Sequence, residues 1–180
     1  MASELTVQTI KGPTSGGNAN KIIVPAGQTI DASAGTLVPS AGQVVQYQQK
    51  YFDIASFTST AGSMVNVTDA YIDITPKFSN SLIRFQTQVH GKNADSLGYA
   101  RFDVADLNNS NARFNVNSYA ESAYYENTGW LTSVIHCLNT ANTTNTMRLQ
   151  LRCLVGGTGT VTIAWSGGDS RHVEAWEIAQ

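Results

Sequence analysis

At 180 residues the chain has room for one domain of ordinary size and an extension. Hydrophobic residues make up 42%, enough for a core, while only 13% are charged, well below the roughly 25% of an average soluble domain. The net charge of −2, without a basic cluster, leaves no footprint for nucleic acid, and no apolar run is long enough to span a membrane.

Ser, Thr, Asn, Gln and Gly take the place of the missing charges. Such a surface suits burial against copies of the same chain, where unpaired charge is costly to desolvate. Residues 1–42 have a texture of their own. Short apolar pieces, Leu5-Thr6-Val7 with Ile10 and Ile22-Ile23-Val24, alternate with turn clusters such as Gly12-Pro13-Thr14-Ser15-Gly16-Gly17-Asn18 and Pro39-Ser40-Ala41-Gly42. Pro presets φ there, while Gly and Asn accept positive φ. Strands this short bury no core within one chain, so 1–42 reads as a stalk or attachment arm that orders against sister chains or a docking partner. The opening Met1-Ala2-Ser3-Glu4 has neither the basic nor the apolar region of a secretory signal, so synthesis in the cytoplasm is expected.

From Gln43 the sequence reads as strand after strand. Residues 82–90 set Ile83, Phe85, Thr87 and Val89 against Arg84, Gln86, Gln88 and His90. Residues 99–105 set Ala100, Phe102 and Val104 against Tyr99, Arg101, Asp103 and Ala105. Residues 147–155 set Met147, Leu149, Leu151, Cys153 and Val155 against Arg148, Gln150 and Arg152, and Val161, Ile163 and Trp165 alternate near the end. Period two marks a half-buried antiparallel strand. Weaker candidates fall at 44–57, 69–75, 112–117, 130–138 and 173–178. About nine strands without helical periodicity predict an all-β fold, an antiparallel, jelly-roll-like β-sandwich over residues 43–180. Loops at Asp106–Asn111, Ser118–Gly129 and Asn139–Thr146 would lie at its ends, where such folds place binding surfaces.

Chemistry is sparse. Cys137 and Cys153 face each other if a hairpin turns near Asn145 and miss if it turns near Asn142; buried reduced thiols fit a cytoplasmic origin. Asp103 with Asp106, or Glu121 with Glu126, are the nearest approach to a glycosidase pair, and all four read better as solvated or interface charges. His90, His136 and His172 form no metal motif. His136 is expected to line a core or interface face with Val134 and Leu138. Gly156-Gly157-Thr158-Gly159 is followed by no helix that would bind an anion, and reads as a hairpin turn. No catalytic residue, metal or cofactor is expected. One ligand-contacting group stands out: Tyr124, Tyr125 and Trp130 offer aromatic faces for sugar rings, and Asn109, Asn111 and Glu126 could hydrogen-bond hydroxyls. The same tyrosines would also suit a subunit contact.

Three stretches in order resemble a known family. Ile74-Thr75-Pro76-Lys77 with Ser79-Asn80-Ser81-Leu82-Ile83-Arg84-Phe85, then Leu138–Thr146, then Val173-Glu174-Ala175-Trp176-Glu177-Ile178-Ala179 are similar to turns and strands of tailed-bacteriophage tail-fibre and virion-appendage proteins, marine phages especially. Asn20–Pro25 through Ala41–Val45 resembles the stretches that precede such heads. The chain departs from the pattern in lacking a long tail-anchoring domain, and has Thr140-Ala141 where the family favours Ser-Pro. The resemblance implies a homotrimeric virion structural protein, a tail fibre or fibre tip that docks to other virion proteins through its arm and binds host-surface glycan. A capsid head-decoration protein is the alternative, and a glycan depolymerase a weaker one.

Overall fold

The computed structural model describes residues 13–17, 23, 25–26, 39–51, 56–93, 99–114, 131–157, 159–164 and 172–180. The chain divides into two units, Met1–Val38 and Pro39–Gln180. The expected arm therefore lies largely outside the described residues, as do Trp165 and the segment 115–130.

The second unit is an antiparallel β-sandwich. Its strands are β1 (Val44–Tyr51), β2 (Ser56–Ser59), β3 (Val65–Ile74), β4 (Leu82–Asn93), β5 (Tyr99–Asp106), β6 (Ala112–Arg113), β7 (Leu131–Thr140), β8 (Met147–Gly156), β9 (Val161–Ala164) and β10 (His172–Ile178). One sheet runs β1–β10–β4–β7, with β9 and β2 added where β4 extends past β10; the other runs β3–β8–β5–β6. The pairing is nested: β1 with β10, β3 with β8, β4 with β7 and β5 with β6. Rolling one long antiparallel hairpin over on itself produces this order, the two-Greek-key arrangement of a jelly roll.

Alternation in the sequence becomes inside and outside in the sandwich. Ile83, Phe85 and Val89 of β4, Ala100, Phe102 and Val104 of β5, and Leu149, Leu151, Cys153 and Val155 of β8 are all buried. Burying each Leu, Ile, Val or Phe side chain contributes about 1.5–3 kcal/mol. The span 44–57 breaks into β1 and β2, which pair with different partners.

Several expectations are corrected. The turn after Gly156 is no hairpin: β8 belongs to one sheet and β9 to the other, and Gly157 (φ 79°) and Gly159 (φ 126°) take the left-handed backbone this crossing requires. The loop 141–146 likewise crosses between sheets, so Cys137 and Cys153 never meet across a hairpin. Both are free and buried, and burial pushes each thiol up to about 12. Val134, His136 and Leu138 are not core; they stand exposed on the outside of β7. Gln150, expected among the outward polar side chains, is buried. A bulge in β3 between Asn66 and Tyr71, with Asp69 at φ 60°, frees backbone carbonyls from the ladder. The Gln150 amide turns under the bulge and donates to the carbonyls of Val67 at 2.7 Å and Ala70 at 3.1 Å. Unpaired, those carbonyls would each be costly to bury.

A second buried polar group locks the two ends of the unit together. Glu177 on β10 is fully buried, and its carboxylate accepts from the amides of Lys77 (2.9 Å) and Phe78 (3.0 Å) and from the Gln46 side chain (2.7 Å). Burial works to raise its pKa, but these hydrogen bonds outweigh burial and hold the carboxyl below the usual range. A carboxyl lowered in the folded state contributes its stability above the unfolded value of about 4.3 and loses it as pH falls through the folded pKa. Glu177→Gln replaces an acceptor oxygen by a donor that faces donors. It should cost about 2–3 kcal/mol at pH 7 and flatten the loss of stability below about pH 4, read by urea denaturation across pH. An unchanged acid limb in the variant would contradict the role given to this carboxylate.

Candidate functional site

At one end of the sandwich the β5–β6 turn and the β7–β8 crossing loop enclose a pocket of about 320 Å³, lined by residues from Asp106 to Phe114 and from Asn139 to Met147. Its size is at the lower end of small-molecule sites, which span roughly 300–1,000 Å³. Its lining is rich in Asn amides and Thr hydroxyls, with Asp106 and Arg113 and the apolar Ala112, Phe114, Ala141 and Met147 among them.

Local chemistry builds both walls. Asp106 ends β5, and its carboxylate accepts from the Asn108 amide at 3.1 Å and the Arg148 amide at 3.0 Å. The turn closes with Asn109 N–H to Asp106 O and Ala112 N–H to Asn109 O. Ser110 (φ 52°) and Asn111 (φ 59°) take the left-handed conformation, which Asn tolerates better than most residues. On the other wall, Asn142 (φ 55°) and Ala141 donate their amides to Ser79 O and Ser81 O, docking the loop onto the β3–β4 turn. The Thr143 hydroxyl accepts from Asn145 N–H at 3.0 Å. The Asn139 side chain donates to Phe114 O at 2.7 Å and accepts from Thr140 N–H, and Asn108 donates to Thr146 O at 2.9 Å.

The amides therefore divide by use. Those of Asn108, Asn139 and Asn142 hold backbone. Those of Asn109 and Asn145 take no hydrogen bond among the described residues, and both line the pocket. An amide donates and accepts at once, so the two exposed, uncommitted amides could hydrogen-bond the hydroxyls of a ligand.

Of the residues singled out in the sequence, Asn109 lines this pocket, and Asn111 lies in the same turn but outside the lining. Tyr124, Tyr125, Glu126 and Trp130 lie outside the described residues. Asn142, Thr143 and Asn145 were legible only as an Asn/Thr loop; their density of amides was the available signal. Of the carboxylates considered for hydrolysis, Glu121 and Glu126 lie outside the described residues, and Asp103 and Asp106 are occupied. Asp103 is buried rather than solvated, held by Arg152 at 2.6 Å and Arg113 at 3.1 Å, and three residues along the strand Asp106 is tied to backbone amides. His90 meets the Thr132 hydroxyl at 2.7 Å, and His172 approaches Glu174 at 3.4 Å. Burial and the nearby Arg84 charge lower the pKa of His136.

The fold and pocket define a jelly-roll β-sandwich with a polar end cavity. No family model matches the sequence, and no curated protein does. Among solved structures the chain is similar to the VP2 subviral particle of infectious bursal disease virus, with 14% identity over 93% of this chain and 45% of that one, and a TM-score of 0.45. It is similar also to the Gt strain of that virus, with 13% identity over 87% of this chain and 41% of that one, and a TM-score of 0.44. The chain spans less than half the length of these structures.

The division of the amides is testable. Asn139→Ala leaves Phe114 O and Thr140 N–H without partners and should cost about 1–3 kcal/mol. Asn109→Ala and Asn145→Ala should each change stability by less than about 0.5 kcal/mol. Denaturant melts of the three variants check the order.

Proposed function

We propose that this chain is a structural protein of a virus particle, and within that class a tail-fibre or fibre-tip appendage of a tailed bacteriophage. In this reading it assembles as a homotrimer, docks to other virion proteins through residues 1–42, and presents its sandwich to host-surface glycan. The observation that carries the proposal is the nested jelly-roll pairing, an architecture that viral capsid and lectin domains use. A fold alone does not fix function, so the reading also leans on composition and on the motifs that resemble phage appendages. Those motifs are one physical unit here. Glu177 of the closing strand holds the Lys77 and Phe78 amides of the β3–β4 turn, and the loop after Leu138 donates to Ser79 O and Ser81 O of the same turn. Three stretches far apart in sequence thus build the end of the sandwich that carries the pocket. Amides poised for hydroxyls, beside carboxylates already tied to arginines and backbone, favour binding over cleavage.

Antibodies against residues 43–180 should label intact particles at the tail under electron microscopy. Label spread over the head would move the protein to capsid decoration, and absence from particles would overturn the proposal. The double change Asn109→Ala with Asn145→Ala removes two hydrogen bonds of about 1 kcal/mol each. It should weaken adsorption to host cells by roughly thirtyfold without altering assembly. Unchanged adsorption would remove the pocket from the account.

A further inference from the structure

The outer faces of the two sheets differ in kind. On β3–β8–β5–β6 arginines and aspartates pair: Arg148 forks Asp73 at 2.8 Å, Arg152 and Arg113 share Asp103, and Arg101 lies 4.8 Å over the Tyr99 ring. On β1–β10–β4–β7 the register instead produces cross-strand rows of aromatic, aliphatic and amide side chains. Tyr47, Trp176, Arg84 and Leu138 form one row, and Gln49, Glu174, Gln86 and His136 the next. Beyond them Tyr51 and Val134 stand at the two margins of a third. Tyr51 is 61%, Val134 54%, Tyr47 46% and Leu138 43% exposed. The two formal charges in these rows are already engaged within the face. Glu174 accepts from Tyr47 at 2.9 Å and Gln49 at 3.2 Å, and Arg84 donates to Gln86 at 2.7 Å and lies 4.9 Å over Trp176. These partners offset part of the cost of taking both charges out of water.

We propose that this outer face meets the same face of a second copy about a two-fold axis parallel to the strands, between β10 and β4. That axis carries each row onto itself in reverse. Tyr47 then faces Leu138 of the other copy, Tyr51 faces Val134, Trp176 faces Arg84, and Glu174 faces the Gln86 amide. Apolar margins meet apolar margins, and an arginine meets an indole. The perpendicular in-plane axis through the same middle row would set Glu174 against Glu174, a like-charge contact. The pattern is thus self-complementary in one arrangement, as an isologous contact requires. Four strands about 4.8 Å apart and some 25 Å long give about 450–500 Å² in projection. Corrugated accessible area exceeds projection and approaches the roughly 800 Å² per partner of a stable interface. The contact is separate from the pocket.

Thiol cross-linking tests the register. Facing sheets lie about 10 Å apart, past the reach of a direct disulfide, while positions 47 and 138 of one copy lie three strand spacings apart, about 14 Å. With a short bifunctional thiol reagent that spans the gap between facing sheets and not the width of one sheet, the double variant Tyr47→Cys with Leu138→Cys should therefore give a band of twice the chain mass. Tyr47→Cys with Val134→Cys, four residues and two rows out of register, should stay single. Equal cross-linking of both pairs, none of the matched pair, or ladders longer than two would overturn the two-fold contact. As a second measurement, Leu138→Glu with Val134→Glu changes only exposed positions. It should halve the mass by sedimentation with an unchanged circular-dichroism melt; an unchanged mass would likewise overturn the proposal.

Discussion

The structure depends on inserting the last strand between two others. β10 pairs along β1 on one side and β4 on the other, so the larger sheet is continuous only when residues 172–178 are in place. Both backbone edges of this strand are satisfied by long-range partners, and its inward side chains Val173 and Ala175 are fully buried. Such contacts join residues more than eighty positions apart, so loop-closure entropy must be overcome before they contribute. Glu177 adds a polar condition to this closure. Its oxygens are satisfied only if β10, β1 and the β3–β4 turn arrive together.

Closure also creates the pocket wall and the outer face. The turn that Glu177 holds is the surface on which the 141–146 loop docks, and that loop is one wall of the pocket. The same strand supplies Trp176 and Glu174 to the middle of the outer face. Polar groups are treated differently in three places. In the interior, Gln150, Asp103 and Glu177 are bonded to backbone or arginine. At the pocket, some amides shape backbone and two remain uncommitted. On the outer face of the larger sheet, charge is satisfied in place and apolar groups are left at the margins. Among the described residues, the arginine–aspartate pairs lie on the outer face of the smaller sheet.

Much of the fold was legible in the sequence because a strand between core and solvent must alternate. Ile83, Phe85 and Val89 announced their face this way, and so did Leu149 through Val155. Partnership was not legible. The Asn/Thr run at 139–146 and the Gly run at 156–159 signal reversal of direction, but a turn that returns to its neighbour reads the same as one that crosses to the other sheet. Gln150 was misread because its burial depends on a bulge in β3, more than seventy residues earlier. Val134 and Leu138 look like core by hydrophobicity alone, and only the pairing of β7 with β4 puts them outside. At the pocket, Asn109 was legible as a polar loop residue. Nothing in composition distinguishes Asn145, which faces the cavity uncommitted, from Asn139, which is spent on backbone.

The claim that all of this hangs on the closing strand is tested most directly by native-state hydrogen exchange. If β10 closes the sandwich as a cooperative unit, the amides of Val173, Ala175 and Glu177 exchange only through global unfolding, with the same opening free energy as those of Phe85 and Leu151. A β10 that exchanges through a cheaper local opening, while β4 and β8 keep full protection, would contradict the account.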